Sequence, residues 1–341
     1  MSGYFIGGDI GGTKVLLQAA EWEDGSQMRV LCERRYASRE YASFSDIVAD
    51  FLKQPQLVEA DRNPAAACFA VAGPITEQGA SLTNLPWLMN EEALASEFSI
   101  RCVRLINDFA AVALSIEILS GHDLVTLQAG KPLARGMRVA FGAGTGMGGA
   151  WSSWQEGGYA ALSSEAGHMD FAPADELQDE LLGYLRAKFG HVSVERVLSG
   201  PGLTHVFNFL SSKADPRTSV SERMQMDADD APRVTELAFQ EGNPVALEAM
   251  DLFVSVYGAY AGSLALAGLT HGGVYVAGGI APRIIGKLRE GGFLKAFRDK
   301  GRFAALMEEI PVHVVMNPTA GLLGALHEAR RTLSKKLEDR G

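Results

Sequence analysis

Val139-Ala140-Phe141-Gly142-Ala143-Gly144-Thr145-Gly146-Met147-Gly148-Gly149-Ala150-Trp151 is an apolar run broken by closely spaced glycines. It reads as a strand (Val139–Phe141), a glycine turn (Gly142–Gly148) and a return through residues able to form a second strand. The same grammar stands near the start of the chain: strand Tyr4–Ile6, glycine turn Gly7–Thr13, strand Val15–Gln18. Two such units about 130 residues apart imply two similar α/β domains with a cleft between them. A solenoid is excluded, because its periods run from about 20 to 50 residues.

Outward from these turns, Ala67–Val71 reads as a strand ending in Ala72-Gly73-Pro74. Val103–Ile106 is another, leading through Asn107-Asp108 into an apolar helix, Phe109–Leu119. Gly121–Arg138 is polar and turn-rich, which puts a domain boundary near 118–138. Helical patterns cover 175–188, 193–213 and 232–269, and Asp215–Asp230 reads as an exposed loop. A last helix, Gly321–Leu337, follows Asn317-Pro318. The expected division is 1–118 plus about 318–341 as a small α/β domain and about 119–317 as a large one.

Composition narrows the function. The 341 residues include 38 glycines where average usage gives roughly 24, and with only 13 prolines and no Gly-x-y period collagen is excluded. The net charge of −10 and scattered basic residues argue against a nucleic-acid partner, whose phosphates demand a concentrated basic patch. Cys32, Cys68 and Cys102 form no C-x-x-C pair, so no zinc site is expected and the thiols suit a reducing, cytoplasmic setting. Residues 252–282 lack Asp, Glu, Lys and Arg and are long enough to span a bilayer. Thr270-His271-Gly272-Gly273 interrupts that run, so it reads as a buried helix, a turn and a short strand, Val274–Ala277, rather than a membrane span.

Glycines after a strand let backbone N–H groups reach a phosphate with no Cβ in the way. Gly8-Asp9-Ile10-Gly11-Gly12-Thr13 has this form, although the same turn alone also reads as a tight hairpin capped by Asp9. A carboxylate beside phosphate needs a divalent cation between them, which points to Mg²⁺ at Asp9. The order Gly12-Thr13-Lys14 is not a Walker A loop. Gly144, Gly146 and Gly149 satisfy a formal G-x-G-x-x-G, but no helix opens there, so a Rossmann site is disfavoured and a second phosphate turn fits better. Gly273–Ala277 opens into Gly278-Gly279, a turn able to admit a nucleoside. Asn107-Asp108 at a strand end, Glu165-Ala166-Gly167-His168 on one loop, Glu195, and Thr83-Asn84 supply carboxylate, amide and imidazole groups. Such a set suits a polyhydroxylated ligand, since every hydroxyl both donates and accepts. Singly, each also reads as a cap or a surface group.

Taken together, the chain resembles the bacterial glucokinases of the hexokinase/actin-like ATPase superfamily. The resemblance is carried by Gly8–Thr13, Ala70–Pro74, Leu105–Phe109, Gly142–Gly148, Glu165–Pro173, Gly190–Gly202, Gly273–Pro282 and Asp299–Phe303. Val194-Glu195-Arg196-Val197-Leu198-Ser199-Gly200-Pro201-Gly202 is the most specific run. The chain looks like the ordinary branch rather than the ROK (repressor/kinase) branch, whose cysteine-rich zinc motif is missing. The resemblance implies two actin-like (ribonuclease H-like) domains flanking a deep cleft that closes on sugar, phosphorylation of D-glucose by ATP, and a homodimer. It also implies Asp108 as general base toward the 6-hydroxyl, with Asn107, Glu165, His168 and Glu195 on the other hydroxyls. Gly8–Thr13 with Gly142, Gly144, Thr145 and Gly146 would hold ATP phosphates, Asp9 would lie close to Mg²⁺, and Gly278 and Gly279 would lie near adenosine. The partners expected are therefore a sugar and a nucleotide, with no nucleic acid and no membrane. Lys14 and Leu16 stand where the family usually has Asn and Arg, and Ser163-Ser164 replaces a Gly or Pro-Gly. A kinase for another hexose, or a catalytically silent sugar-responsive regulator, would share many of these residues; Asp108 favours catalysis.

Overall fold

A computed structural model describes every residue except 1–2, 24–26, 60–61, 77, 83–84, 156, 214–225 and 339–341. Thr83, Asn84 and most of the loop read at Asp215–Asp230 therefore lie outside the described residues. The chain runs β1 (Phe5–Ile10), β2 (Lys14–Glu23), β3 (Gln27–Ala37), α1 (Phe44–Leu52), α2 (Pro55–Glu59), β4 (Ala66–Val71), β5 (Ile75–Thr76), β6 (Gly79–Ser81), β7 (Leu88–Met89), α3 (Glu91–Glu97), β8 (Val103–Asn107) and α4 (Asp108–Ser115). It continues through β9 (Leu124–Gln128), β10 (Arg138–Ala143), β11 (Met147–Gln155), β12 (Gly158–Ser164), α5 (Glu176–Phe189), α6 (Gly200–Lys213), α7 (Ala231–Phe239) and α8 (Pro244–Gly268). Last come β13 (Gly273–Ala277), α9 (Ile285–Arg289), α10 (Gly292–Arg298), α11 (Ala304–Glu309), β14 (Val312–Val315) and α12 (Ala320–Glu338). Two compact units divide the chain: Met1–Ser120 with Tyr159–Ser163 and Thr319–Gly341, and Gly121–Gly158 with Ser164–Pro318.

In the first unit a five-stranded sheet has the order β3-β2-β1-β4-β8. β1, β2 and β3 pair antiparallel, and β1, β4 and β8 pair parallel. The period-2 alternation of the strands sorts two cores. Ile6, Ile10, Phe69 and Val71 face a cluster with Phe44, Ile47, Val48 and Phe51 of α1, whereas Phe5, Ala66, Cys68 and Ala70 face Leu326, Ala329 and Leu333 of α12. The α12 side is built from small residues because the helix lies close. A Cβ on Gly7 would be 2.5 Å from Leu326 Cγ, and one on Gly324 would be 1.8 Å from the Ala111 carbonyl of α4.

This corrects the expected first turn. Gly7, Gly8 and Asp9 belong to β1, and the turn is confined to Gly11–Thr13. Gly8 is glycine because a Cβ there would stand 2.7 Å from both Leu17 and Phe69 side chains, a packing reason rather than a phosphate one.

The second unit repeats the grammar: sheet order β12-β11-β10-β13-β14-β9, with β10, β13 and β14 parallel and β10/β11 an antiparallel hairpin. Here too the turn is shorter than expected. Ala143 pairs with Met147, so only Gly144–Gly146 turn, while Gly142 is a buried strand residue whose Cβ would collide with the Ala277 carbonyl at 2.1 Å. No helix follows, which disposes of the Rossmann alternative.

The charge-free run forms α8 and β13, with α8 packed against α6, α7 and α10 and 72% of its most apolar window buried in the unit. Gly258 and Gly262 lie one turn apart on α8. Cβ atoms there would meet the main chain of α10 at Phe293 and Phe297 at 2.1 and 2.5 Å, so the small residues serve a close helix contact. The helix read over 193–213 begins only at Gly200, after a 3-10 turn at Val194–Arg196, and the pattern over 232–269 is two helices separated at Asn243, which caps α8 through Ala246 N.

Candidate functional site

In the first unit, the strand-to-helix junction β8–α4 presents Asn107 and Asp108. Asn107 is the N-cap of α4: its Oδ1 accepts from Phe109 N at 3.0 Å and Ala110 N at 3.2 Å. That leaves its Nδ2 donor for a ligand oxygen. Asp108 is half-buried at the first position of α4, and its Oδ1 accepts from Phe109 N at 2.8 Å. Carboxylate and amide are thus fixed at the carboxyl end of a parallel strand and the positive end of a helix, where α/β folds bind ligands.

The turn Gly11–Thr13 is tied across. Gly11 N donates to Lys14 O at 2.9 Å, Ser38 N donates to Thr13 O at 3.0 Å, and Ser38 Oγ donates to Gly11 O at 2.9 Å. Ile10 is fully buried, main chain included, so it shapes the turn from beneath rather than facing a ligand. Asp9, on the last turn-ward stretch of β1, is open to solvent at its surface, yet the surrounding protein desolvates it and raises its carboxyl pKa. Lys14 is exposed, and its side-chain ammonium has no hydrogen-bond or ion-pair partner among the described residues. Ser38 was not visible to sequence reading, since it sits at the end of β3, remote in sequence from the turn it pins.

In the second unit, three expected elements meet at one end of β10 and β11. The 3-10 turn Ala166–His168 carries exposed Glu165 and His168, with His168 N donating to Glu165 O at 3.0 Å. Gly167 lies so close to the hairpin that a Cβ would be 1.9 Å from the Met147 carbonyl. Met147 N in turn donates to Glu195 Oε2 at 2.8 Å. Ser164 Oγ donates to the Gly149 carbonyl at 2.7 Å, so the Ser163-Ser164 departure ties the acidic loop to β11.

The run Val194–Gly202 explains its own specificity. Ser199 Oγ donates to Glu195 O at 2.8 Å and accepts from Gly202 N at 3.0 Å, Gly200 N donates to Gly144 O at 2.8 Å, and Gly202 has no room for a Cβ beside Val197. It holds the Gly144–Gly146 turn from outside. Gly278, at φ +79°, backs the same hairpin, where a Cβ would be 2.5 Å from the Ala143 carbonyl.

Beside these turns opens a cavity of about 350 Å³ lined by Gly144, Thr145, Gly200, Pro201, Ala231, Thr235, Gly279, Ile280 and Arg283. A larger hollow, about 600 Å³, lies along α7 away from the glycine turns and shares Asp229, Pro232, Thr235 and Arg283 with it. In the smaller cavity, apolar walls, glycine main chain and the oppositely charged residues Arg283 and Asp229 suit a nucleoside. Pro201, Thr235 and Arg283 were not singled out from sequence, because nothing local marks them as neighbours of the glycines.

Two further residues were missed. Tyr257 Oη accepts from Ala143 N at 3.0 Å, and Tyr260 Oη donates to Ala166 O at 2.7 Å. Burial raises both phenol pKa values far above ordinary, so the hydroxyls stay protonated. Their spacing of three on α8 puts them on one face, the only sequence signal they offer.

The glucokinase family model matches residues 6–332. The chain is 40% identical over 334 residues to a glucokinase of Trichormus variabilis, covering 94% of this chain and 97% of that relative. A solved glucokinase from an Antarctic psychrotroph superposes with TM-score 0.84 at 30% identity, covering 96% of this chain and 99% of that one. A ROK family glucokinase from Streptomyces griseus, solved in complex with glucose and AMPPNP, shares the fold at TM-score 0.61 and 21% identity, covering 96% and 100%. With the fold and a match along nearly the whole chain in agreement, the protein belongs to the glucokinase family.

Proposed function

We propose that the chain transfers the γ-phosphoryl group of ATP to the 6-hydroxyl of D-glucose, with Asp108 as the general base. The observation that carries the reading is the meeting of Glu165, His168 and Glu195 with the Gly144–Gly146 turn at one end of β10 and β11. Sugar-type and phosphate-type groups there adjoin each other.

In this reading Asp108 accepts the proton of the 6-hydroxyl as that oxygen attacks. The new O–P bond forms, the bond to the β–γ bridging oxygen breaks, and ADP leaves. Asn107 Nδ2, Glu165, His168 and Glu195 hold the remaining hydroxyls, together with Thr83 and Asn84. The Gly11 and Gly144 amides close their own turns, so the main-chain amides of Gly12, Thr13, Thr145 and Gly146 face the phosphates, while Gly279 lines the adenosine cavity with Gly278 beside it. Gly8, Ile10 and Gly142 contribute backbone shape only.

Asp9 offers one hard oxygen donor within reach of solvent, a fit for Mg²⁺, which keeps waters and phosphate oxygens as its other ligands. Bound with ATP, that ion would neutralise charge on the phosphates. A homodimer in the cytoplasm completes the proposal. The family resemblance supports the dimer, and three free, buried cysteines support the reducing compartment.

ADP release with ATP and Mg²⁺ across a panel of hexoses tests the reading. Turnover that depends on glucose is expected. Hydrolysis indifferent to sugar, or silence with every hexose, would defeat it.

A further inference from the structure

The two carboxylate oxygens of Glu195 have different surroundings. Oε2 accepts from Met147 N at 2.8 Å and lies where a Cβ on Gly146 would approach within 2.6 Å. It is seated against the main chain of the phosphate turn. Oε1 has no hydrogen-bond partner among the described residues, and the side chain is half-buried. The segment carrying Glu195 is itself fixed. Val194 N donates to Met169 O at 2.8 Å, next to the turn that bears Glu165 and His168, and Gly200 N donates to Gly144 O at 2.8 Å. One stretch of chain therefore grips the Gly144–Met147 turn at both ends, once by main chain and once by a carboxylate.

We propose that Glu195 is a positioning residue for the phosphate turn, coupling the sugar to the nucleotide. Oε2 fixes the Gly146–Met147 main chain in its phosphate-receiving shape, and Oε1 receives a sugar hydroxyl. The two oxygens belong to one rigid plane, so a hydroxyl donating to Oε1 removes the torsional freedom that would let Oε2 leave Met147 N. Hydrogen bonds to a charged acceptor are short and strong, which makes this tether effective. Coupling between two ligands is reciprocal, so glucose raises nucleotide affinity by the factor with which nucleotide raises glucose affinity. The coupling rests on Glu195 being a sugar ligand; the grip on Met147 does not.

Three variants separate reach from charge. Glu195→Gln keeps an oxygen able to accept from Met147 N, Glu195→Asp keeps the charge but falls short, and Glu195→Ala removes both. The readout is calorimetric affinity for AMPPNP with Mg²⁺, without and with glucose, alongside hydrogen exchange at the Met147 amide. Without sugar, Glu195→Asp and Glu195→Ala are expected to bind AMPPNP about fivefold or more weakly and to exchange Met147 faster, with Glu195→Gln close to wild type. In Glu195→Ala, glucose no longer tightens AMPPNP. Wild-type AMPPNP affinity in sugar-free Glu195→Asp and Glu195→Ala would overturn the proposal, as would equal losses in Glu195→Gln and Glu195→Asp. If Glu195→Ala does not fold, the Gln and Asp pair carries the same comparison. Unchanged glucose affinity in all three variants would instead remove Glu195 from the sugar site and with it the coupling, leaving the sugar-free comparison to judge the grip on Met147.

Discussion

The Tyr260 hydroxyl donates to the Ala166 carbonyl at the base of the turn that carries Glu165 and His168. Ala166 is 4% exposed, so no water replaces that donor if it is removed. Tyr260→Phe is expected to cost about 1–3 kcal/mol in unfolding free energy, the penalty for leaving a buried acceptor unpaired. Because the lost bond anchors the turn proposed to hold sugar hydroxyls, KM for glucose should rise more than kcat falls. Denaturant unfolding and steady-state kinetics check the two halves, and an unchanged stability would mean the turn is held by something else. At this scale the sequence was informative about chemistry and poor about support. Asp108, Glu165 and Glu195 are visible as candidates by type and by their place beside strand ends and glycine turns, and their proposed roles come from the family resemblance. Ser38, Tyr257 and Tyr260 act through hydrogen bonds to main chain distant in sequence, and no residue type marks such a partner.

Elements show the same limit in their glycines. Strand–turn–strand order is legible because apolar runs and glycine punctuation are local signals, and β1, β10 and β13 all begin within two residues of the expected strands. Where each turn begins is not legible. Gly7, Gly8 and Gly142 look like turn residues, but the reasons for them are Leu326 on α12, Leu17 and Phe69 on neighbouring strands, and the end of β13. Part of the glycine surplus thus serves close packing rather than ligand approach. Gly7→Ala places a Cβ 2.5 Å from Leu326 Cγ, so it is expected to destabilise by about 1–3 kcal/mol, as overpacked cores do. KM for ATP in the folded enzyme should stay as in wild type. A raised KM with unchanged stability would restore Gly7 to the phosphate turn. The apolar run of α8 posed the converse problem: composition permits a membrane helix, the Thr270–Gly273 interruption argues for a buried helix and a strand, and the packing of α8 against α6, α7 and α10 agrees with that reading.

For the molecule as a whole, stability should fall on mild acidification. Burial lowers the pKa of His205, beside Arg196 and Lys188, whose charges act the same way while its hydrogen bond to the Arg196 carbonyl opposes them; burial alone lowers that of His313. Folded values below the unfolded one mean that, as pH drops past about 6.5, the unfolded chain takes up protons the folded chain refuses. Unfolding free energy therefore declines from about pH 6.5 downward until the folded values are reached. Denaturant midpoints between about pH 7 and pH 5 should decline less steeply in His205→Gln than in wild type; parallel declines would contradict this. The two-unit architecture was readable because the same hairpin-then-parallel-strand grammar occurs twice, and the chemistry because sugar-type and phosphate-type groups cluster beside it. The central claim is that Asp108 takes the proton from the glucose 6-hydroxyl during transfer from ATP. Initial rates of ADP release by wild type and Asp108→Asn, with glucose affinity measured in parallel, test it directly. The account predicts a kcat loss of at least ~10²-fold with little change in glucose affinity. Near wild-type turnover by Asp108→Asn would contradict it.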